Sequence, residues 1–218
     1  MPRPAATHQK RAVLTPVVAR AFVELGYRRA TTAQLAQRCG VRENILYRIW
    51  PDKRAMFVAA IEYVFEFSSQ TWRRVLADTH GASPAERLLA FEAQHHGEFG
   101  LYRILFAGLS EIDDPEIGAA LRRTYARFGR FLAEQIAAHR HASSSGAAEP
   151  PETPAAHDAG PARRRRRAAA LPADAERVAW AFIGLGTAAN LGRELNLLTR
   201  AGRQRLLREV GARLLREA

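Results

Sequence analysis

TTAQLAQRCGVRENILYRIWPDK, residues 31–53, is the stretch from which the rest of the chain is read. Thr31 is followed three residues on by Gln34, a capping-box pairing in which each side chain satisfies an orphan backbone donor at a helix start. Leu35 and Ala36 form the inward face of that helix, and Cys39 closes it. Gly40 then supplies a backbone able to turn with positive φ, which a residue bearing a Cβ resists. Val41 plugs the corner. Glu43 to Trp50 is predicted as the next helix, with Leu46 and Trp50 at i, i+4 facing the core. Pro51 stops it, and Asp52 caps the helix that follows. Helix, glycine turn and second helix at this spacing form the helix-turn-helix pattern of DNA-binding proteins.

The set Thr31-Thr32, Leu35-Ala36, Gly40-Val41, Leu46-Tyr47 and Lys53 is similar to the amino-terminal motif of the TetR family of transcriptional regulators. The resemblance implies an all-α fold of about nine helices. A three-helix helix-turn-helix domain over residues 10–58 would be continuous with a helical-bundle ligand-binding and dimerisation domain over 59–218. It further implies a homodimer through the last two helices, paired as a four-helix bundle, and an unidentified small-molecule ligand in the second domain. The nucleic-acid partner would be double-stranded DNA with a palindromic operator, because two-fold proteins read two half-sites. The chain departs from the family pattern at two points. Arg42 stands where a capping serine is common, so the recognition helix starts without a hydroxyl cap. Ile49 replaces a polar or aromatic residue, which removes a phosphate contact from that position.

Charge is concentrated where this reading needs it. The chain of 218 residues carries a net +11, and residues 1–53 hold ten Lys or Arg against three Asp or Glu. Residues 54–141 hold ten against eleven, so the excess lies on the helix-turn-helix end, as an electrostatic footprint for phosphate would. A bias toward arginine (all but two of the 33 basic residues) accounts for the choice of Arg over Lys but not for the clustering. The single cysteine, Cys39, excludes an internal disulfide framework and fits a reducing cytoplasm. No apolar run reaches the roughly 18 residues of a membrane span, and the polar amino terminus does not read as a signal peptide. The expectation is a cytoplasmic protein with no membrane contact.

Residues 1–9 are expected to form a flexible arm, followed by a helix from about Lys10 to Leu25 with Leu14, Val17, Val18, Ala21, Phe22 and Leu25 as its stripe. A long helix from Asp52 to about Asp78 leaves the DNA-binding unit with no linker. Ser83-Pro84-Ala85-Glu86 is a second capping box, with proline at the first helical position. A short helix around Leu101–Leu109 and a long one from Asp114 to about His141 follow. Residues 142–172 lose periodicity and are expected to be a disordered loop; the run Arg163 to Arg167 inside it reads as a solvated linker or an auxiliary phosphate contact. From Ala173 a helix rich in small residues places Val178, Ala181, Phe182, Leu185 and Ala189 on one side, and a last helix runs from about Arg203 to Glu217. Gly184, Gly186 and Gly192 suggest close approach of another backbone.

The side chains expected to reach base edges are Arg42, Glu43, Asn44, Ile45 and Arg48, near the start of the recognition helix. Arginine suits guanine, asparagine suits adenine, glutamate accepts from cytosine, and Ile45 suits a thymine methyl. Glu43 reads equally as a first-turn acid complementing the helix dipole. By the resemblance, Thr32, Tyr47 and Lys53 are the phosphate contacts. Trp72, Phe91, His95, Phe99, Tyr102 and Tyr125, with Phe65 and Phe106, are candidates for an apolar ligand pocket. An enzyme is not expected: there is no Walker-type loop, GxSxG or CxxC, and Glu92 with His95 makes only one E-x-x-H. No cofactor, metal or catalytic residue is assigned. Two rival readings remain, a protein that coats DNA by charge alone and a helical-bundle metalloenzyme.

Overall fold

The computed structural model describes residues 4–77, 82–145 and 173–216. Among them are nine helices and no strand: α1 (Pro4–Leu25), α2 (Thr32–Arg38), α3 (Glu43–Tyr47), α4 (Lys53–Ala77), α5 (Pro84–His95), α6 (Tyr102–Leu109), α7 (Pro115–Ser145), α8 (Ala173–Glu194) and α9 (Arg200–Arg216). Both expected capping boxes form: Thr31 and Ser83 each accept from the backbone three residues on, and Gln34 and Glu86 reach back to the cap. Asp52 caps α4 by accepting from the Ala55 N–H at 2.7 Å.

Three expectations are corrected. The amino-terminal arm is helical from Pro4, since proline is pre-shaped for a first helical position and Ala5 and Ala6 favour helix; residues 1–3 lie outside the described residues. The recognition helix is shorter than expected, ending at Tyr47. Trp50 precedes Pro51, which disfavours helical backbone at that residue, so 48–50 form a turn closed by Trp50 N–H to Leu46 carbonyl at 2.8 Å. Helix α7 continues to Ser145, four residues into the expected loop. The remainder of that loop, with Arg163 to Arg167, lies outside the described residues.

The turn between α2 and α3 follows from one glycine. Gly40 has φ +63°. Its N–H donates to the Gln37 carbonyl at 3.1 Å, and the Val41 N–H to the Ala36 carbonyl at 3.0 Å. That is the double closure of a Schellman motif. Leu35, Ala36, Leu46 and Trp50 are buried behind it with Val18, Phe22 and Phe57. The same core passes beyond residue 58 without a break, through Ile61 and Val64 of α4 to Ile104 and Leu105 of α6 and Ile117 and Leu121 of α7. A methyl group added at Gly108 would lie 3.1 Å from Leu121 and 3.4 Å from Ile61, so α6 lies flush between α4 and α7.

Helices α5, α7, α8 and α9 complete the body around Ala133, Ile136, Ala179 and Leu215. The α8 glycines have separate tasks. Gly186 makes room for the His96 ring, Gly192 for Leu198, and Gly184 faces open space. Ala181, expected with the inward row, is exposed beside Gly184; the inward positions are Ala175, Ala179, Gly186 and Ala189. Among the described residues, no helix is long and apolar enough to cross a membrane.

Because nothing lies within 4 Å of a Cβ built at Gly40, a substitution there meets backbone strain alone. Gly40→Ala is expected to cost about 1–2 kcal/mol in urea unfolding, whereas Leu46→Ala, which empties a fully buried site, should cost about 2–5 kcal/mol.

Candidate nucleic-acid interface and ligand cavity

The short α3 presents two faces. Leu46 is fully buried and Ile45 half-buried, which fixes the rotation of the helix. Arg42, Glu43, Asn44, Tyr47 and Arg48 are exposed as a consequence. Arg42 is the N-cap with extended backbone and no side-chain cap bond, leaving its guanidinium uncommitted to the helix start. Of the expected base-reading residues, all but Ile45 therefore lie open to solvent on one short segment.

Two of the expected phosphate contacts meet. The Tyr47 hydroxyl donates to Thr32 Oγ1 at 3.2 Å, joining the start of α2 to the end of α3. Lys53 has a different part. Its Nζ donates to the carbonyls of Tyr27 and Ala30, both at 3.0 Å, and lies 3.5 Å from that of Arg28. It also lies 4.9 Å from the centre of the Tyr27 ring. These contacts fasten the α1–α2 turn to α4.

Ion pairs join this unit to the body: Arg28 to Glu111 at 2.5 Å, and Arg54 to Glu116 at 2.9 Å and Asp114 at 3.6 Å. They are solvent-exposed, where screening and the side-chain entropy lost offset most of the Coulomb attraction. The shared core across α4, α6 and α7 therefore carries the mechanical connection.

A cavity of about 230 Å³ opens between α4, α5, α6, α7, α8 and α9. Trp72, Phe91, His95, Phe99, Tyr102 and Tyr125 all line it. Phe106 lines it too, whereas Phe65 packs edge-on against Phe128 and Phe131 in the adjoining core. The polar wall centres on Glu92. Its Oε1 accepts from the Trp72 indole at 2.6 Å, and its Oε2 lies 2.6 Å from His96 Nδ1. His96 Nε2 lies 3.0 Å from the Gly186 carbonyl and 3.1 Å from the Asn190 amide nitrogen. Burial raises the Glu92 pKa, but the hydrogen bond and charge of His96, with the Trp72 N–H, outweigh it and hold the carboxyl below its ordinary value. In sequence Glu92 pairs with His95 in the single E-x-x-H, whereas in space Glu92 meets His96. Their signal was the i, i+4 spacing of a carboxylate and an imidazole on one helix face. His95 instead turns to Glu98 at 3.0 Å. Among the described residues, no group of three or more His, Cys, Asp or Glu could hold a metal ion.

Residues 18–60 match the family model for bacterial regulatory proteins of the tetR family. The nucleoid occlusion factor SlmA of Haemophilus influenzae is 43% identical over 56 residues, which cover 26% of each chain, so the chain spans about a quarter of that relative's length. Solved structures are similar over nearly the whole chain. A TetR-family transcriptional regulator from Cytophaga hutchinsonii has a TM-score of 0.68 at 15% identity, covering 99% of this chain and 98% of its own. A transcriptional regulator from Saccharomonospora viridis in complex with choline has a TM-score of 0.64 at 13% identity, covering 96% of each.

Lys53→Ala distinguishes a clamp from a phosphate contact. It is expected to cost about 1.5–3 kcal/mol in urea unfolding, the worth of hydrogen bonds to a charged donor. A phosphate contact would instead leave stability intact and lower the slope of log affinity against log salt by about one.

Proposed function

We propose that the chain is a TetR-family regulator, a sequence-specific repressor released from its operator by a small molecule; its matched DNA-binding segment and its fold support this reading. The observation that carries this reading is the packing of α6. One side of α6 supplies cavity wall through Tyr102 and Phe106, and the other joins the core that holds the helix-turn-helix. A ligand that spreads α4 and α6 must then move the α1–α3 unit, because no flexible segment intervenes. Two recognition helices reading successive major grooves need to sit about 34–36 Å apart, so a small rotation in each protomer breaks the match.

In this reading residues 10–58 bind DNA and 59–218 hold the ligand and the second protomer. Arg42, Glu43, Asn44 and Arg48 read bases, and Thr32 and Tyr47 position the backbone. The dimer surface is the outer face of α8. Trp180 and Leu191 are 54% and 47% exposed there, with Ala181, Gly184 and Ala188 between them. Apolar side chains and small residues on one exposed helix face suit close packing against a second copy. Helix α9 adds the half-buried Leu206, Val210 and Leu214, while its outermost row carries Arg205, Arg208 and Arg213. We place the protein in the cytoplasm, and we assign it no catalysis.

The test is fluorescence anisotropy with a duplex from the gene's own upstream region, titrated at several salt concentrations. The native protein should bind it more tightly than scrambled DNA, and Arg42→Ala or Asn44→Ala should each weaken specific binding by about 1–3 kcal/mol. Equal affinity for both duplexes, with a steep salt dependence, would identify charge-driven coating instead. Leu191→Asp is expected to shift the protein from dimer to monomer in analytical ultracentrifugation, with DNA affinity lowered in parallel.

A further inference from the structure

The chemistry of the cavity wall narrows what can enter it. Among the described residues that line the cavity there is no lysine and no arginine. An anionic ligand would therefore shed its water with no fixed positive charge to receive it, which is costly in a partly closed apolar space. Arginines line a small separate hollow that shares His96 with the cavity, and there they are engaged. Arg193 donates to the Gly97 carbonyl, and Arg200 pairs with Glu98 at 3.0 Å.

The wall does hold one carboxylate, Glu92. Its companions are an indole N–H and an imidazole. Such partners orient the carboxylate and hold it ionised; the imidazole offsets its charge only while protonated, whereas a guanidinium would do so at every pH. The imidazole has a partner in either protonation state. The Gly186 carbonyl accepts a hydrogen bond from Nε2–H when His96 is charged, and the Asn190 amide donates to Nε2 when it is neutral. The rest of the lining is rich in ring faces, including Phe67, Phe91, Phe99, Tyr102 and Phe128. Rings attract a cation through their quadrupole, and more strongly where water is excluded. On α7, Tyr125 and Gln135 also line the cavity, and each carries a neutral polar group.

Resting on the ligand-responsive reading above, we propose that the cavity takes a small organic monocation with an apolar or aromatic body, its positive centre directed to Glu92 and its body enclosed by the aromatic wall. The volume of about 230 Å³ is below the ~300–1,000 Å³ usual for drug-sized ligands, which sets the size class. The carboxylate and rings recognise the charge. Neutral groups on α7 contribute hydrogen bonds without excluding a cation.

Three benzyl compounds of comparable size test this by isothermal titration calorimetry on the full-length protein: benzyltrimethylammonium, N-benzylacetamide and phenylacetate. The cation should bind about tenfold more tightly than the amide or better, and the anion most weakly. Glu92→Gln, which keeps one acceptor, for the Trp72 indole, and removes the charge, should bring the cation to within about threefold of the amide. The inference is overturned if the amide or the anion binds as tightly as the cation in the native protein. It is likewise overturned if none of the three binds, or if Glu92→Gln, folded by circular dichroism, keeps the preference for the cation. Anisotropy with bound DNA separates this from the regulatory reading. Cation binding that leaves the protein on its operator defeats ligand-induced release while leaving the ligand class intact, and release by the neutral compound does the reverse.

Discussion

Helix α4 is buried on two sides at once, and that constraint governs the molecule. Toward the amino terminus it packs on α1 through Met56, Phe57 and Ala60; further along it packs on α6 and α7 through Ile61, Val64 and Phe65. A 25-residue helix spans about 37 Å. One rigid rod therefore runs from the Lys53 clamp on the α1–α2 turn to the cavity wall at Trp72. Filled interiors shift between discrete arrangements and do not deform smoothly, so motion at one end of such a rod is transmitted. The exposed ion pairs at Arg28 and Arg54 decorate this connection without carrying it.

The DNA-reading surface is defined by what is withdrawn from it. Leu46 occupies a fully buried site, and Gly40 turns the chain so that α3 arrives there at the required angle. Neighbouring polar side chains are left outward because helical geometry allows no other direction. Thr32 and Tyr47, from different helices, are joined by a hydrogen bond that fixes the register of α2 against α3. The positive charge of residues 1–53 then acts on a pre-formed shape.

The cavity follows a different rule. Its apolar wall reflects the large side chains of six helices that do not close completely over one another. Its polar character comes from a chain of hydrogen bonds, Trp72 to Glu92 to His96 to Gly186 and Asn190, crossing α4, α5 and α8. Gly186 is required here, since a Cβ in its place would lie 2.9 Å from the His96 ring. Low local polarity makes such a chain stiff, and a ligand group that meets Glu92 also meets what orients it.

The local signals in residues 31–53 were enough to determine the helix-turn-helix, because caps, the glycine turn and proline stops act between residues a few positions apart. Thr31 with Gln34, Ser83 with Glu86, and Gly40 all form as their chemistry dictates. The positions of most helices were legible from apolar periodicity for the same reason. Partners distant in the chain decided the rest. Lys53 carries the charge of a phosphate contact in sequence, yet in space it closes on carbonyls more than twenty residues away. Glu92 with His95 looks like a fragment of a metal site until packing brings the Trp72 indole to Glu92. Gly184 and Gly186 are alike in composition, and only packing turns one outward and the other onto a ring. Short-range hydrogen bonding and periodicity are written into neighbouring residues, whereas the fate of a charge or a small residue depends on which helix arrives opposite it.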